Sequence, residues 1–110
     1  MIYDLMAKIR EFNAARDWQQ YHTPKNLATS VVIEAAELAE CFQWMTPEQS
    51  RNLDDADMDR VCDEVGDVLI YLLNLCDQLK IKPEKAAYRK LFKNRFKYPA
   101  LYPHEDIKET

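Results

Sequence analysis

Residues 31–42 read VVIEAAELAECF, a run in which three acids, Glu34, Glu37 and Glu40, interrupt an otherwise apolar sequence. The run holds no glycine or proline and is rich in Ala, Glu and Leu, which favour a helix. A helix this apolar belongs in a protein interior, whereas ionised carboxylates are rarely buried unless they are paired. The segment is therefore predicted to form a helix. The presence of three acids on such an apolar helix requires a physical explanation.

The composition of the whole chain indicates one small helical domain. Its 110 residues are 47% hydrophobic and include one glycine and five prolines, so there are few tight turns and enough apolar residues for a core. The segments between the prolines are rich in helix-forming residues. We predict an all-α fold, a four-helix bundle, with residues 1–100 forming the domain and residues 101–110 a C-terminal tail.

Charge and cysteine content restrict the partners and the compartment. A formal net charge of -4 disfavours a nucleic acid polymer as partner. The N-terminal MIYDLMAKIR has charged residues within its apolar stretch and resembles neither a signal peptide nor a membrane anchor, so we expect a cytoplasmic protein. Cys41, Cys62 and Cys76 lack CxxC spacing, which argues against a zinc site or a disulfide framework and predicts small core residues.

Apolar spacing and start signals divide the chain into helices. Apolar residues recur every three or four positions in the first segment, and a threonine before a proline twice marks a helix start. The predicted helices are Ile2 to Ala15, Pro24 to about Trp44, a short turn from Pro47 to about Asn52, a long helix from about Asp55 to Leu79, and Pro83 to the stop at Pro99.

The long helix contains VLIYLL at residues 68–73, which is apolar on nearly every side. Together with residues 31–42 it gives more apolar surface than a small monomeric bundle can bury. We therefore predict a homodimer or a homotetramer.

Two pairs of acids lie on these two apolar helices. Glu34 and Glu37 are three residues apart, so both project from one face, and Glu64 and Asp67 repeat the arrangement. Apolar neighbours surround each pair, which predicts that both helices face inward here. Four buried carboxylates repel one another, and no Lys or Arg follows them at i+3 or i+4. A divalent cation with oxygen ligands, Mg²⁺ or Mn²⁺, resolves the conflict.

The alternative is a solvated acidic stripe, which an isolated ExxE favours because most glutamates face water. Two such pairs on the two most apolar helices favour the metal site instead. For Glu40 and Asp63 two interpretations stay open: each either faces water or supports one of the metal ligands.

Several blocks of the sequence resemble a known family. Glu34-x-x-Glu37 followed by Glu64-x-x-Asp67 resembles the signature of MazG-like all-α nucleoside triphosphate pyrophosphohydrolases. RDWQQYHTPKNLA, EAAELAECFQW, DEVGDVLIYLL and KLFKNRFKYP are similar, in order, to blocks of the dCTP pyrophosphatase branch. The resemblance implies a helical bundle in which the four acids hold Mg²⁺, hydrolysis of the α–β phosphate link to a monophosphate and pyrophosphate, and assembly as dimers or as tetramers of dimers.

The resemblance also implies roles for individual residues. One of Glu34 and Glu37 accepts the proton of the attacking water. On the last helix, KxxxN followed by KYP matches a phosphate-binding position and assigns Lys90, Asn94 and Lys97 to the triphosphate. The remaining basic residues of this helix are expected to be a solvated surface.

Aromatic side chains and a helix start complete the expected substrate site. Trp18, Trp44 and Tyr71 are candidates for stacking on the base, although each is also a candidate for core packing. Lys25 and Asn26 lie where free backbone N–H groups at a helix start favour anions. A lone histidine in the preceding loop, His22, is given no catalytic role.

Three other functions compete with a dCTP pyrophosphatase. A pyrophosphatase with another or a broader base preference uses the same residues. A non-enzymatic helical dimerisation module explains the apolar helices and leaves the acids solvated. A nucleic-acid binder fits poorly with the net charge of -4.

Overall fold

A computed structural model of the chain describes residues 1–109, and every regular element in that range is a helix. The all-α prediction is thereby confirmed. The chain divides into two compact units, Met1–Leu79 and a second one that begins at Lys80. The helices, in chain order, are α1 (Ile2–Ala15), α2 (Pro24–Glu40), α3 (Pro47–Arg51), α4 (Asp55–Leu79) and α5 (Pro83–Lys97).

Local capping fixes the starts of α2 and α3, as their sequences predict. The Thr23 hydroxyl accepts a hydrogen bond of 3.2 Å from the backbone N–H of Asn26, with Pro24 at the first helical position. Thr46 and Gln49 form a reciprocal capping box, with bonds of 2.9 and 3.2 Å between side chain and backbone. The Thr23 cap marks where α2 begins and hence fixes the register of its acids.

The core of the first unit lies where α1 and α4 meet. Met6 and Ile9 of α1 pack with Leu73 and Cys76 of α4. Nearby on the same two helices, Arg10 forms a two-pronged ion pair with Asp77, at 2.6 and 3.0 Å. The third long helix of this unit, α2, packs along α4. The unit therefore uses α4 as its central helix.

Three sequence expectations about helix α2 and its surroundings are wrong. Helix α2 ends at Glu40, and hydrogen-bonded turns follow up to residue 45 in place of the predicted continuation to Trp44. Val32 and Ile33, expected to face inward, are 68% and 53% exposed. Cys62, expected in the core, is exposed, while the other two cysteines are buried as predicted. The exposed apolar residues show that periodicity identified an apolar face without identifying what covers it.

The second unit contains α5, whose last turns are organised around Arg95. Its guanidinium lies 4.6 Å from the ring centre of Phe92 and 4.4 Å from that of Phe96. The Arg95 Nε atom is buried and has no hydrogen-bond partner within residues 1–109. The expectation that Arg95 belongs to a solvated basic surface is therefore wrong, because cation–π contacts hold it against the helix.

Within the described part of the chain, no helix is both long enough and apolar enough to cross a membrane. The division into a domain of residues 1–100 and a tail of residues 101–110 stays a prediction.

Candidate functional site

Four carboxylates from two helices converge in the first unit. Glu34 and Glu37 of α2 meet Glu64 and Asp67 of α4, and one oxygen from each lies within 4.8 Å of the others. The i, i+3 spacing places each pair on one face of its helix, and the packing of α2 along α4 brings the two faces together. The structure thus assembles the four acids that the sequence singles out.

The electrostatics of this cluster are unfavourable for four ionised groups. Burial, followed by a hydrogen bond with Glu37 that requires a proton on one of the two carboxyls, raises the pKa of Glu34 to about 7. The charges of Glu37, Asp67 and Glu64 act in the same direction. Burial, and after it the charge of Glu37, also raises the pKa of Glu64. The cluster therefore holds protons or cations more readily than separate glutamates do.

Two oxygen atoms of the cluster lack a donor. Glu34 Oε2 and Glu64 Oε2 are buried and have no hydrogen-bond partner within residues 1–109. A buried carboxylate oxygen without a hydrogen-bond donor is destabilising. Carboxylate oxygens are the ligands that hard divalent cations prefer, so the donor set fits such an ion.

Sequence reasoning missed one basic residue beside the cluster, Arg60. Its side chain lines a small cavity of about 190 Å³ together with Glu37, Glu40 and Glu64. The Arg60 Nη2 atom donates a hydrogen bond of 3.1 Å to the backbone carbonyl of Cys41. Arg60 lies four residues before Glu64, whereas the sequence prediction rested on the absence of a base three or four residues after each acid. The backward i-4 position was the signal that could have found it.

A second, larger cavity of about 380 Å³ adjoins the acidic cluster and shares Asp67 with it. Trp18 and Tyr71, two of the three predicted base-stacking residues, line this cavity. Phe12 and His22 complete a series of edge-to-face ring contacts with them, with centroids 5.7 to 6.4 Å apart. The aromatic walls therefore come from α1, the following loop and α4.

Other predicted substrate residues lie elsewhere. Trp44 is 89% exposed in the turns after α2 and does not line the aromatic cavity. Asn26 donates a hydrogen bond of 2.9 Å from its side-chain amide to the carbonyl of Tyr21, which ties the loop to α2. Lys25 is exposed in the first turn of α2. Their contacts with substrate stay predictions.

The predicted phosphate-binding residues of the last helix belong to the second unit. Lys90 and Lys97 are exposed on α5, and Asn94 is half-buried. Lys97 Nζ lies 5.4 Å from the ring centre of Tyr98. Their contact with the triphosphate also stays a prediction.

Sequence reasoning did not single out two buried polar residues of the aromatic cavity, Asn13 and Asn74. Asn74 follows directly on the apolar run VLIYLL, and an amide in such a run is the signal that could have found it. His22, assigned no catalytic role, also lines the cavity.

Fold and site together define a class: all-helical proteins in which two adjacent helices share a four-carboxylate cluster. A family model described as MazG-like matches residues 29–109. The chain belongs to the MazG-like family.

Individual relatives agree with this assignment. The chain is 40% identical over 92 residues to dCTP pyrophosphatase 1 of Homo sapiens, covering 82% of this chain and 54% of that protein. It is 38% identical over 91 residues to the Bos taurus protein of the same name, covering 81% and 54%. The crystal structure of a pyrophosphatase from Archaeoglobus fulgidus DSM 4304 superimposes with a TM-score of 0.83 at 46% identity, covering 89% of this chain and 92% of that one.

These findings confirm the resemblance to the dCTP pyrophosphatase branch. The chain spans about half the length of the curated relatives it matches.

Proposed function

We propose that the protein is a metal-dependent nucleoside triphosphate pyrophosphohydrolase that converts dCTP, or a modified dCTP, to the monophosphate and pyrophosphate. The observation that carries the proposal is the convergence of four carboxylates within 4.8 Å, two of which have a buried oxygen without a donor. The names of the human and bovine relatives support the choice of substrate. Such an activity would remove unwanted nucleotides from the cytoplasmic pool.

Glu34, Glu37, Glu64 and Asp67 would hold Mg²⁺, with Mn²⁺ as a substitute. When bound, the ion neutralises phosphate charge, orients the attacking water and stabilises the leaving pyrophosphate. Either Glu34 or Glu37 accepts the proton of that water.

The base would enter the aromatic cavity, where Trp18 and Tyr71 offer ring faces or edges within reach of Asp67. Stacking on an aromatic side chain contributes about 1–3 kcal/mol per base. Lys90, Asn94 and Lys97 would contact the phosphates, since they form one row on α5. Trp44, Lys25 and Asn26 are further proposed contacts with the nucleotide.

Phosphorus NMR of dCTP incubated with the protein and Mg²⁺ tests the reaction. The expected products are dCMP and pyrophosphate, because cleavage falls between the α and β phosphates. Release of inorganic phosphate and dCDP would contradict the proposal. A panel of nucleotides then tests the base: equal kcat/KM for all bases would replace the cytosine assignment with a broad-specificity pyrophosphatase.

We also propose that the protein works as a homodimer or as a tetramer of dimers. Helices α2 and α4 leave apolar side chains exposed in the single chain, namely those of Val32, Ile33, Val65, Leu69 and Leu72. The three residues of α4 are spaced i, i+4 and i+7, so they form one stripe that a second copy would cover. Sedimentation is expected to give a dimer or tetramer at micromolar concentration, and a folded monomer would contradict this.

We also propose that the protein is located in the cytoplasm. Cys41, Cys62 and Cys76 are free thiols, and reducing compartments keep cysteines in that form.

A further inference from the structure

The aromatic cavity contains two buried amides that its apolar lining does not require. Asn13 of α1 is 7% exposed and Asn74 of α4 is 5% exposed. Aliphatic and aromatic side chains form most of the remaining lining. Neither asparagine side chain is among those with a fully buried, unpartnered polar atom, so the polar atoms that lack a protein partner are reached from the cavity. Two amides in one cavity therefore point to a polar ligand that enters it.

Asn13 is the amide of this cavity that has no side-chain partner in the protein. Its backbone carbonyl accepts hydrogen bonds from the N–H groups of Arg16 and Trp18, at 3.2 and 3.0 Å, which fixes the loop that carries Trp18. Its side-chain amide has no hydrogen-bond partner within residues 1–109. An amide carries an acceptor oxygen and a donor NH₂ group, so either end of the Asn13 side chain can serve a ligand.

Asn74, in contrast, has a side-chain partner in the protein. Its Nδ2 lies 3.0 Å from Nδ1 of His22, so the amide donates and the ring nitrogen accepts. With the imidazole proton on Nε2, the ring nitrogen Nδ1 is an acceptor and favours this orientation of the Asn74 amide. Asn74 Oδ1 has no partner within the described residues and is the atom left to accept a hydrogen bond from a ligand.

We infer that Asn74, oriented by His22, distinguishes cytosine from uracil and thymine by accepting a hydrogen bond from the exocyclic amino group, while Asn13 contacts the adjoining ring edge. Cytosine presents an amino donor at position 4, whereas uracil and thymine present a carbonyl oxygen there. Two acceptors facing each other in a buried site repel, which rejects both competitors. The inference rests on the proposed function and assigns its base preference to named residues.

Asn13 does not discriminate, because a rotating amide satisfies either the N3 acceptor of cytosine or the N3–H donor of uracil. His22 is a positioning residue, since it acts on the base through Asn74. The two asparagines therefore predict different kinetic signatures, which separates this inference from a general role in packing.

The test compares kcat/KM for dCTP, dUTP and the triphosphate of 2-pyrimidinone deoxyriboside, which is deoxycytidine without its amino group. The unaltered protein is expected to prefer dCTP over both by roughly tenfold or more, as expected when a buried polar group is left unpaired. The leucine side chain has a branched shape similar to that of asparagine and no polar atoms. Asn74→Leu should therefore reduce both preferences to about threefold or less.

His22→Phe keeps a ring beside Trp18 and Tyr71 but removes the acceptor that orients Asn74. The Asn74 amide can then turn its NH₂ group toward the base, so kcat/KM for dUTP should rise relative to that for dCTP. Asn13→Leu is the matched control: it removes a buried amide from the same cavity and should lower kcat/KM for dCTP and dUTP in proportion. Thermal melting monitored by circular dichroism verifies that each variant is folded.

The inference is overturned if folded Asn74→Leu and His22→Phe both keep the dCTP to dUTP ratio of the unaltered protein. It is also overturned if the unaltered protein hydrolyses dUTP or the 2-pyrimidinone analogue as well as dCTP, a result that would leave the proposed reaction intact. Failure of the unaltered protein to hydrolyse any nucleotide would contradict the proposed function itself, and this inference with it.

Discussion

Glu37→Gln and Asp67→Asn are each expected to lower kcat/KM for dCTP by about 10³-fold or more, because each removes a charged ligand from the site that stabilises the transition state. The amide is nearly isosteric with the carboxylate, so packing is unchanged. Pyrophosphate release at saturating Mg²⁺ measures the effect.

These substitutions are not expected to lower the stability of the folded protein. Glu37 and Asp67 both raise the pKa of Glu34, which means that their charges oppose its ionisation. Removing either charge relieves repulsion in the metal-free protein, so its melting temperature should stay the same or rise.

Asp59→Asn provides the matched control, since it deletes the same charge from an exposed position of α4 and lies outside the four-carboxylate cluster. It is expected to retain activity within a few-fold of the unaltered protein, because surface charges contribute little. Near-native turnover by Glu37→Gln or Asp67→Asn in saturating Mg²⁺ would contradict the metal assignment.

Features that depend on a few neighbouring residues could be predicted from the sequence. Thr23 and Thr46 predict helix starts because each capping hydroxyl accepts a hydrogen bond from the N–H group three residues later. The pairing of Glu34 with Glu37 follows from helical spacing in the same way. The end of α2 lacked such a signal, since neither glycine nor proline follows Glu40 before Pro47.

Features that depend on contacts between distant segments could not be predicted. Hydrophobic spacing shows that Val32 lies on an apolar surface, but the surface that covers it is a matter of tertiary or quaternary packing. The hydrogen bond between His22 and Asn74 joins a loop to the C-terminal part of α4. Neither residue carries a local signal for the other, so the pair emerges only when α1, the loop and α4 are assembled.

The metal-free protein is expected to lose thermal stability as the pH rises from about 5 to about 8, and Mg²⁺ is expected to reverse the loss. The pKa of Glu34 in the folded protein is about 7, above its usual value of 4.5. Between these two values the unfolded chain has released this proton while the folded chain retains it. The unfolded state then binds fewer protons, so the free energy of unfolding falls as the pH rises, and it levels off above pH 7. The raised pKa of Glu64 acts with the same sign.

Melting temperatures measured across this range with EDTA, and again with excess Mg²⁺, test both halves of the expectation. A cation bound by the folded state alone adds RT ln(1 + [L]/Kd) to stability, about 2.7 kcal/mol at a hundredfold excess over Kd. That gain should be largest at alkaline pH, where no proton competes for the carboxylates. Glu34→Gln is the control, because it removes the group with the most raised pKa and should flatten the EDTA profile. An EDTA profile that is flat for the unaltered protein, together with no effect of Mg²⁺ at any pH, would show that the four carboxylates neither strain the fold nor hold a cation.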